Sequence, residues 1–239
     1  AAGGTGPHPE DRSPLTEALA ALGDPDKPGR RTFEARVQST IGRAIPYQLD
    51  VASCGADPTI EGYVVSGHDI SQLDEARRQL SHSAAHDDLT GLLNRAGFID
   101  RLSHDLNAGL ANRIVAFIDL DRFKPVNDQW GHAVGDRVLA IIARRIEAAI
   151  RGTDYVGRIG GDEFAMVVAA SDPAMTERII ERVQTAISEP ITLADDAVQV
   201  TATVGTAVVE PGATAEVLLA AADARMYEAK LAQRTARTS

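Results

Sequence analysis

The alternation of apolar and polar positions separates the chain into an early set of strands, one polar helix and a long mixed region. An apolar residue stands at every second position of residues 33–37 and 45–51, and a third apolar run covers residues 63–65. A period of two is typical of a strand with one buried face. We therefore predict a three-stranded meander whose apolar face needs a cover.

Residues 70–86 change to the pattern of a polar helix. Leu73, Ala76, Leu80 and Ala84 recur at heptad-like spacing, which predicts a seam that could pair with a second copy of the chain. Two heptads are about equally typical of an ordinary surface helix, so both interpretations stay open.

Beyond residue 87, helical and strand patterns alternate. Helical patterns cover residues 94–106, 135–150, 176–188 and 215–233, and strand patterns cover residues 114–120 and 198–204. This alternation predicts α/β or α+β architecture.

A hairpin is predicted around the sequence Arg-Ile-Gly-Gly-Asp-Glu-Phe at residues 158–164. Residues 153–159 and 164–168 have strand composition, and glycine accepts positive φ cheaply in the turn between them. Asp162 and Glu163 then lie at an exposed tip. Such a tip is either a metal and phosphate site or a plain solvated acidic turn.

Composition narrows the possible partners. The 239 residues allow one large domain or a domain of about 150 residues with a smaller one. The net charge of -10 argues against nucleic acid or an anionic membrane as a partner. No apolar run approaches the roughly 18 residues that span a bilayer.

The chain has one cysteine, Cys54, which excludes an intrachain disulfide and a thiolate metal cluster. Together with the lack of a signal-peptide pattern, this predicts a reducing, cytoplasmic location. The first residue is not methionine, so we expect a fragment of a longer protein.

A second acidic segment, Asp-Leu-Asp-Arg-Phe-Lys at residues 119–124, follows the apolar strand. If this strand lies beside the hairpin, Asp119 and Asp162 converge as oxygen ligands for Mg²⁺, within reach of Lys124 and a bound phosphate. The alternative is a strand-end acid that caps the next turn.

The segment from Asn127 to Asp136 supplies an amide, an imidazole and a carboxylate at a predicted turn before the long helix. A carboxylate accepts from N1–H and the exocyclic amine of guanine, whereas adenine presents an acceptor at N1. Asp136 would therefore prefer guanine. The alternatives are a helix N-cap for Asp136 and a surface histidine for His132.

Five ordered motifs in the second half resemble the GGDEF family of diguanylate cyclases, over about residues 87–234. They are Asp-Asp-Leu-Thr-Gly-Leu-Leu-Asn-Arg at 87–95, the 119–124 segment, Asn127-Asp128 with Gly131-His132, the 160–164 signature, and Ala222-Asp223 with Tyr227 and Ala229-Lys230. The resemblance implies a palm-like central, mostly antiparallel sheet flanked by helices. It also implies a homodimer that binds one GTP per protomer and releases cyclic di-GMP and pyrophosphate.

The resemblance further implies a role for each matching residue. The metal, Mg²⁺ or Mn²⁺, would be held by Asp119, the Leu120 carbonyl and Asp162, and catalysis would use Asp162, Glu163 and Lys124. The nucleoside would be bound by Asn127, His132 and Asp136, and the phosphates by Lys124, Lys230 and Arg234. Two positions depart from the common pattern: many members carry Glu where this chain has Asp162, and Gln233 replaces the usual glycine before Arg234.

Arg151 and Asp154 stand where family members carry an RxxD product-inhibition site, and Arg182 resembles the arginine that completes it. The resemblance implies feedback inhibition by cyclic di-GMP. The alternative is a surface ion pair worth at most about 1 kcal/mol.

The first seventy residues resemble part of a PAS sensor, through His-Pro-Glu-Asp-Arg at 8–12, the run 62–65 and the exit 68–70. We predict a partial PAS-like segment at 1–69, a linker helix at 70–86 and a GGDEF catalytic domain at 87–239. Two alternative functions remain: a catalytically silent receptor for GTP or cyclic di-GMP, and a palm-fold cyclase with another base preference.

Overall fold

The structure is a computed structural model that describes residues 6–7, 16, 29–38, 43–53, 63–109, 112–193, 196–210 and 212–238. Its contacts divide the chain into two units, residues 1–81 and 82–239. The division falls within the helix α1 (Ser71–Ala85), inside the predicted linker. The predicted three-part domain division stays a prediction.

The first unit contains the predicted meander. Strands β1 (Gly6–Pro7), β2 (Arg30–Gln38), β3 (Ala44–Ser53) and β4 (Tyr63–Asp69) pair in this order, each antiparallel to the next. Leu49 and Val51 are buried, whereas Val64 and Val65 are 48% and 53% exposed. The PAS-like motif at residues 8–12 lies outside the described residues, so that part of the resemblance stays a prediction.

The second unit is built on a four-stranded antiparallel sheet. Its strands are β5 (Arg113–Asp121), β6 (Tyr155–Arg158), β7 (Glu163–Ala169) and β10 (Thr201–Val208), in the order β10-β5-β7-β6. A separate short hairpin joins β8 (Ile191–Leu193) to β9 (Asp196–Val198). The predicted hairpin of β6 and β7 is confirmed, and β5 lies directly beside it.

The described residues of the second unit also form five helices: α2 (Arg95–Asn107), α3 (Phe123–Trp130), α4 (His132–Ala149), α5 (Pro173–Ser188) and α6 (Ala215–Thr238). Side-chain N-caps fix the first residue of two of these helices. The Asn94 side chain accepts from Gly97 N at the start of α2, and the Asp172 side chain accepts from Met175 N at the start of α5.

Both faces of the central sheet are buried, which explains the continuous apolar runs of β5 and β7. Ile118 and Met166 face α4 and α5 on one side, and Val115 and Phe117 face α2 and α6 on the other. Each large apolar side chain buried in this way contributes about 1.5–3 kcal/mol. The predicted fold class, with a mostly antiparallel sheet flanked by helices, is confirmed.

Several elements differ from the predictions. Helix α3 was not predicted, because Pro125 lies within it; proline is tolerated there since it falls in the first turn. The alternation at 198–204 spans the end of β9 and the start of β10 rather than one strand. Helix α4 begins at His132, before the predicted start at 135. Among the helices of the described residues, none is both long and apolar enough to cross a bilayer.

Candidate active site

The signature turn is closed by its own strands and by one arginine. Ile159 N donates to Glu163 O at 2.9 Å, and the Arg158 guanidinium donates to Gly161 O from Nε at 3.1 Å and from Nη2 at 2.8 Å. A Cβ at position 160 would lie 2.4 Å from Glu163 Oε2, so glycine leaves room for that carboxylate. The turn is therefore a shaped loop, with Asp162 half-buried rather than fully solvated.

Arg158 also joins the signature turn to the motif at 87–95. Its Nη1 donates to both oxygens of Asp87, at 3.1 and 3.2 Å, and Asp87 Oδ1 accepts from Thr90 N and Oγ1. Burial alone would raise the pKa of Asp87, but the bonds from Thr90 and Arg158 outweigh it and hold this pKa below its ordinary value. Sequence reasoning assigned no role to Arg158, although it lies two positions before the first signature glycine.

The acidic residues converge at the junction of β5 and β7. Asp119 pairs across the strands with Glu163, and Leu120 N donates to Asp162 O at 3.2 Å. Burial and then the charge of Asp119 raise the pKa of Asp162. Burial, followed by the charges of Asp119, Asp223 and Asp162, raises the pKa of Glu163. The site therefore holds more negative charge than its surroundings neutralise.

Helix α6 brings one cation and one further acid to this junction. The Lys230 ammonium forms an ion pair with Asp119 Oδ1, and its charge lowers the pKa values of Asp162 and Glu163. Asp223 adds a negative charge close enough to act on Glu163. The sequence motif contained Asp223, but no role was assigned to it.

The donor set fits a hard divalent cation. The negative charges of Asp119 and Asp162 repel each other, and a bound divalent cation would reduce this repulsion. Carboxylate and carbonyl oxygens are also the ligands that such a cation prefers. Within the part of the chain that the structure describes, no three His, Cys, Asp or Glu side chains form a ready-made metal cluster. A bound ion would complete its coordination with water or phosphate oxygens.

A cleft of about 290 Å³ lies in front of the signature turn. Phe123 and Val126 anchor α3 in the core, which leaves Lys124 and Asn127, three residues apart, on its neighbouring face. The residues lining the cleft are Phe123, Lys124, Asn127, His132, Asp136, Leu139, Arg158, Gly161 and Asp162. It thus brings together five predicted site residues, while Lys230 and Arg234 lie outside its lining.

Two glycines shape the wall of this cleft that α3 and α4 form. Gly131 joins the helices with φ +81°, a conformation that L residues rarely adopt. A Cβ at Gly135 would lie 1.8 Å from Asn127 Oδ1, so the bare glycine lets Asn127 pack against α4. His132 and Asp136, four residues apart on α4, then face the same space. Asn127 lies on a helix rather than on the predicted turn.

The predicted inhibitory residues lie at the far end of α4. Asp154 is 8% exposed, and its oxygens accept from Arg151 N at 3.0 Å and Ala169 N at 3.1 Å. Arg182 Nε donates to Ala149 O at 2.6 Å, two residues before Arg151. Arg151 and Arg182 are exposed, whereas the Asp154 carboxylate supports the local fold. The inhibitory role stays a prediction.

The second unit of the chain is similar to known proteins. A family model described as "Diguanylate cyclase, GGDEF domain" matches residues 84–236. The diguanylate cyclase TpbB of Pseudomonas aeruginosa is 42% identical over 173 residues, which are 70% of this chain and 40% of TpbB. The bifunctional diguanylate cyclase/cyclic di-GMP phosphodiesterase MucR of the same species is 38% identical over 164 residues, 67% of this chain and 24% of MucR.

A solved structure shows the same fold. The coiled coil and GGDEF domain of DgcB from Caulobacter crescentus, in complex with c-di-GMP, aligns with a TM-score of 0.62 and 28% identity, covering 68% of this chain and 89% of that one. The chain spans 40% or less of the two curated relatives named above.

Proposed function

The chain belongs to the GGDEF domain family of diguanylate cyclases, and from that premise we propose that it joins two molecules of GTP into cyclic di-GMP and releases pyrophosphate. One observation carries the proposal: Lys124, Asn127, His132 and Asp136 line the same cleft as Asp162 of the signature turn. The cleft thus combines side chains that can hydrogen-bond to a guanine nucleoside with side chains that can bind its phosphates and a metal. The name of TpbB as a diguanylate cyclase supports the same reaction.

The substrate-binding groups would come from α3 and α4, which form the cleft, and from α6. Asn127, His132 and Asp136 would hold the nucleoside, with Asp136 accepting from the guanine edge. Lys124, together with Lys230 and Arg234 of α6, would offset the charge that develops on the phosphates. Lys230 already pairs with Asp119, which places its ammonium beside the acidic cluster.

The acidic cluster would supply the metal site and the proton acceptor. Mg²⁺ or Mn²⁺, held by Asp119, Asp162 and the Leu120 carbonyl, would polarise the phosphates and activate the attacking hydroxyl. Asp162, or the site around the metal that it holds, would help to take the proton of the attacking 3′-hydroxyl, and Glu163 would assist in holding the metal. In each of the two transfers the 3′-oxygen bonds to the α-phosphorus of the other GTP and pyrophosphate leaves.

We propose that the active form is a homodimer. Each cleft would hold one GTP, so two chains must face each other to close one ring. Helix α1 offers the means of alignment, since Leu73 of its predicted seam is 64% exposed. The solved DgcB structure also combines a coiled coil with a GGDEF domain. The segment before α1 would be the partial PAS-like sensor that sets the dimer geometry.

Product inhibition would act through two exposed arginines, Arg151 after the end of α4 and Arg182 of α5. Arg151 and Arg182 can stack on guanine and fork to phosphate. Arg151→Ala is expected to weaken cyclic di-GMP binding in calorimetry at least tenfold without abolishing turnover. An unchanged affinity would remove this part of the proposal.

Chromatography of the products formed from GTP and from ATP separates the three candidate functions. The proposed function requires cyclic di-GMP from GTP and no cyclic product from ATP. A silent receptor would bind GTP or cyclic di-GMP and form no product, and a cyclase with another base preference would convert ATP. The presence of Asp119, Lys124, Asp162 and Glu163 favours the enzyme over the receptor.

A further inference from the structure

Strand β5 ends in two acids, and the structure gives them different partners. Asp119 and Asp121 are two residues apart, so they share one face of the sheet. That face also carries Val115 and Phe117 and is covered by α2 and α6. From composition alone either carboxylate could face a cation. Asp119 pairs with Lys230 of α6.

Asp121 is held instead by two threonines of the neighbouring edge strand. Thr201 Oγ1 donates to Asp121 Oδ2 at 2.8 Å, and Thr203 Oγ1 donates to Asp121 Oδ1 at 2.7 Å. Both carboxylate oxygens therefore accept a hydroxyl bond at close to ideal length. The strand register places Thr201 directly opposite Asp121, whereas Thr203 lies opposite Asp119 and reaches Asp121 diagonally.

The hydrogen bond of Thr203 makes the environment of Asp121 different from that of Asp119. Thr203 lies directly opposite Asp119 and diagonal to Asp121, and it is 1% exposed, so its single hydroxyl proton must be donated to a partner inside the protein. The proton goes to Asp121. Asp119 is thereby left to Lys230 and to the acidic cluster at β7.

The Asp121 carboxylate, which Thr201 and Thr203 bind, lies immediately before the turn into α3. Arg122 has φ +54° and caps α3 without a side-chain hydrogen bond. A non-glycine residue in this region is costly and persists only where its surroundings fix it. The bonds from Thr201 and Thr203 fix Asp121, and α3 then carries Lys124 and Asn127 into the cleft.

We propose that Asp121 is a positioning residue, clamped by Thr201 and Thr203, that leaves Asp119 as the acid of β5 facing the reaction and sets the direction of α3. Asp121 is not among the residues that line the cleft. It acts through Asp119, Lys124 and Asn127, and the inference rests on the proposed function of the cleft.

The test removes the hydroxyls and keeps the shape. The double variant Thr201→Val/Thr203→Val is compared with Thr203→Ser, which retains a hydroxyl, and with Thr206→Val, the same substitution elsewhere on β10. The readouts are the equilibrium affinity for the fluorescent nucleotide mant-GTP, kcat and KM for GTP, and the melting temperature. Thr201→Val alone, at an exposed position, gives a milder variant if the double variant does not fold.

The double variant is expected to bind mant-GTP at least about tenfold more weakly and to raise KM, because small displacements of binding groups have effects of this size. Thr203→Ser should recover most of the affinity, and Thr206→Val should match the wild type. An unchanged affinity in the valine variants, or equal losses in the serine and valine variants, would overturn the clamp. A wild-type chain that binds mant-GTP but makes no cyclic di-GMP overturns the proposed function alone, and one that binds no guanine nucleotide overturns both.

Discussion

At the scale of single residues, the site holds neighbouring carboxylates in half-buried positions, where their negative charges destabilise the folded chain. Asp162 and Glu163 are half-buried beside Asp119, and burial and repulsion raise the pKa of each. A raised carboxyl pKa means that the fold binds the proton more tightly than the unfolded chain does. The stability it contributes is present below the ordinary pKa and is lost as pH rises through the folded pKa.

Asp162→Asn should therefore melt at a higher temperature than the wild type at pH 8 in EDTA. The difference should shrink as pH falls towards the ordinary carboxyl value of 3.8, because Asp162 is then protonated. Asp128→Asn, at an exposed position on α3, controls for the loss of one charge. A variant that melts at the wild-type temperature or lower across the whole range contradicts the prediction.

Residue chemistry was predictable where it depends on type and spacing. Asp119, Asp162, Asn127, His132 and Asp136 were proposed as site residues from their chemistry and from the resemblance to the GGDEF family, and four of them line one cleft. The role of Arg158 was not predicted, since its partner Asp87 lies 71 residues away in the chain and its bond to Gly161 O depends on the shape of the turn.

At the scale of elements, the packing of α3 on α4 controls the base-binding wall. Gly135→Ala should displace Asn127, whose Oδ1 occupies the position that the new methyl group would take. We expect KM for GTP to rise about tenfold, while stability changes little because alanine favours a helix by about 1 kcal/mol over glycine. In an Asn127→Ala background the same substitution should have no further effect. Additive losses would contradict this explanation.

The turn at residues 87–95 and the signature turn form one connected unit through Asp87 and Arg158, whose side chains are 24% and 14% exposed. A double-mutant cycle of Asp87→Ala and Arg158→Ala, measured by denaturant unfolding, should give a coupling energy of about 1–3 kcal/mol. Arg158→Lys should recover little, since lysine lacks the planar fork. Strictly additive single-variant effects would show that the two turns are independent.

The bounds of helices and strands depend partly on backbone conformation that the apolar–polar pattern of the sequence does not contain. The hairpin of β6 and β7 was predicted because Gly160 and Gly161 interrupt two strand-forming runs. Helix α3 was missed because it follows an arginine with positive φ and contains Pro125. The alternation across 198–204 was continuous, but the backbone leaves one strand and starts another within it.

At the scale of the whole molecule, the proposed reaction depends on two chains. Leu73→Arg should weaken dimerisation, because it places a charge in the predicted seam of α1. Sedimentation should show a dissociation constant raised at least tenfold, with lower activity per chain at low protein concentration. Gln72→Arg, at the exposed neighbouring position, is the matched control. Equal dissociation constants for wild type and Leu73→Arg would exclude this seam.

The most direct measurement is the stoichiometry of product formation by the purified chain with GTP and Mg²⁺. Anion-exchange chromatography and a pyrophosphate assay should give two pyrophosphates for each cyclic di-GMP, and Asp162→Ala should lower the rate at least about a hundredfold, since its carboxylate serves both metal and proton transfer. Cyclic di-GMP at or below the level of the Asp162→Ala variant would contradict the assignment of this cleft as a diguanylate cyclase site.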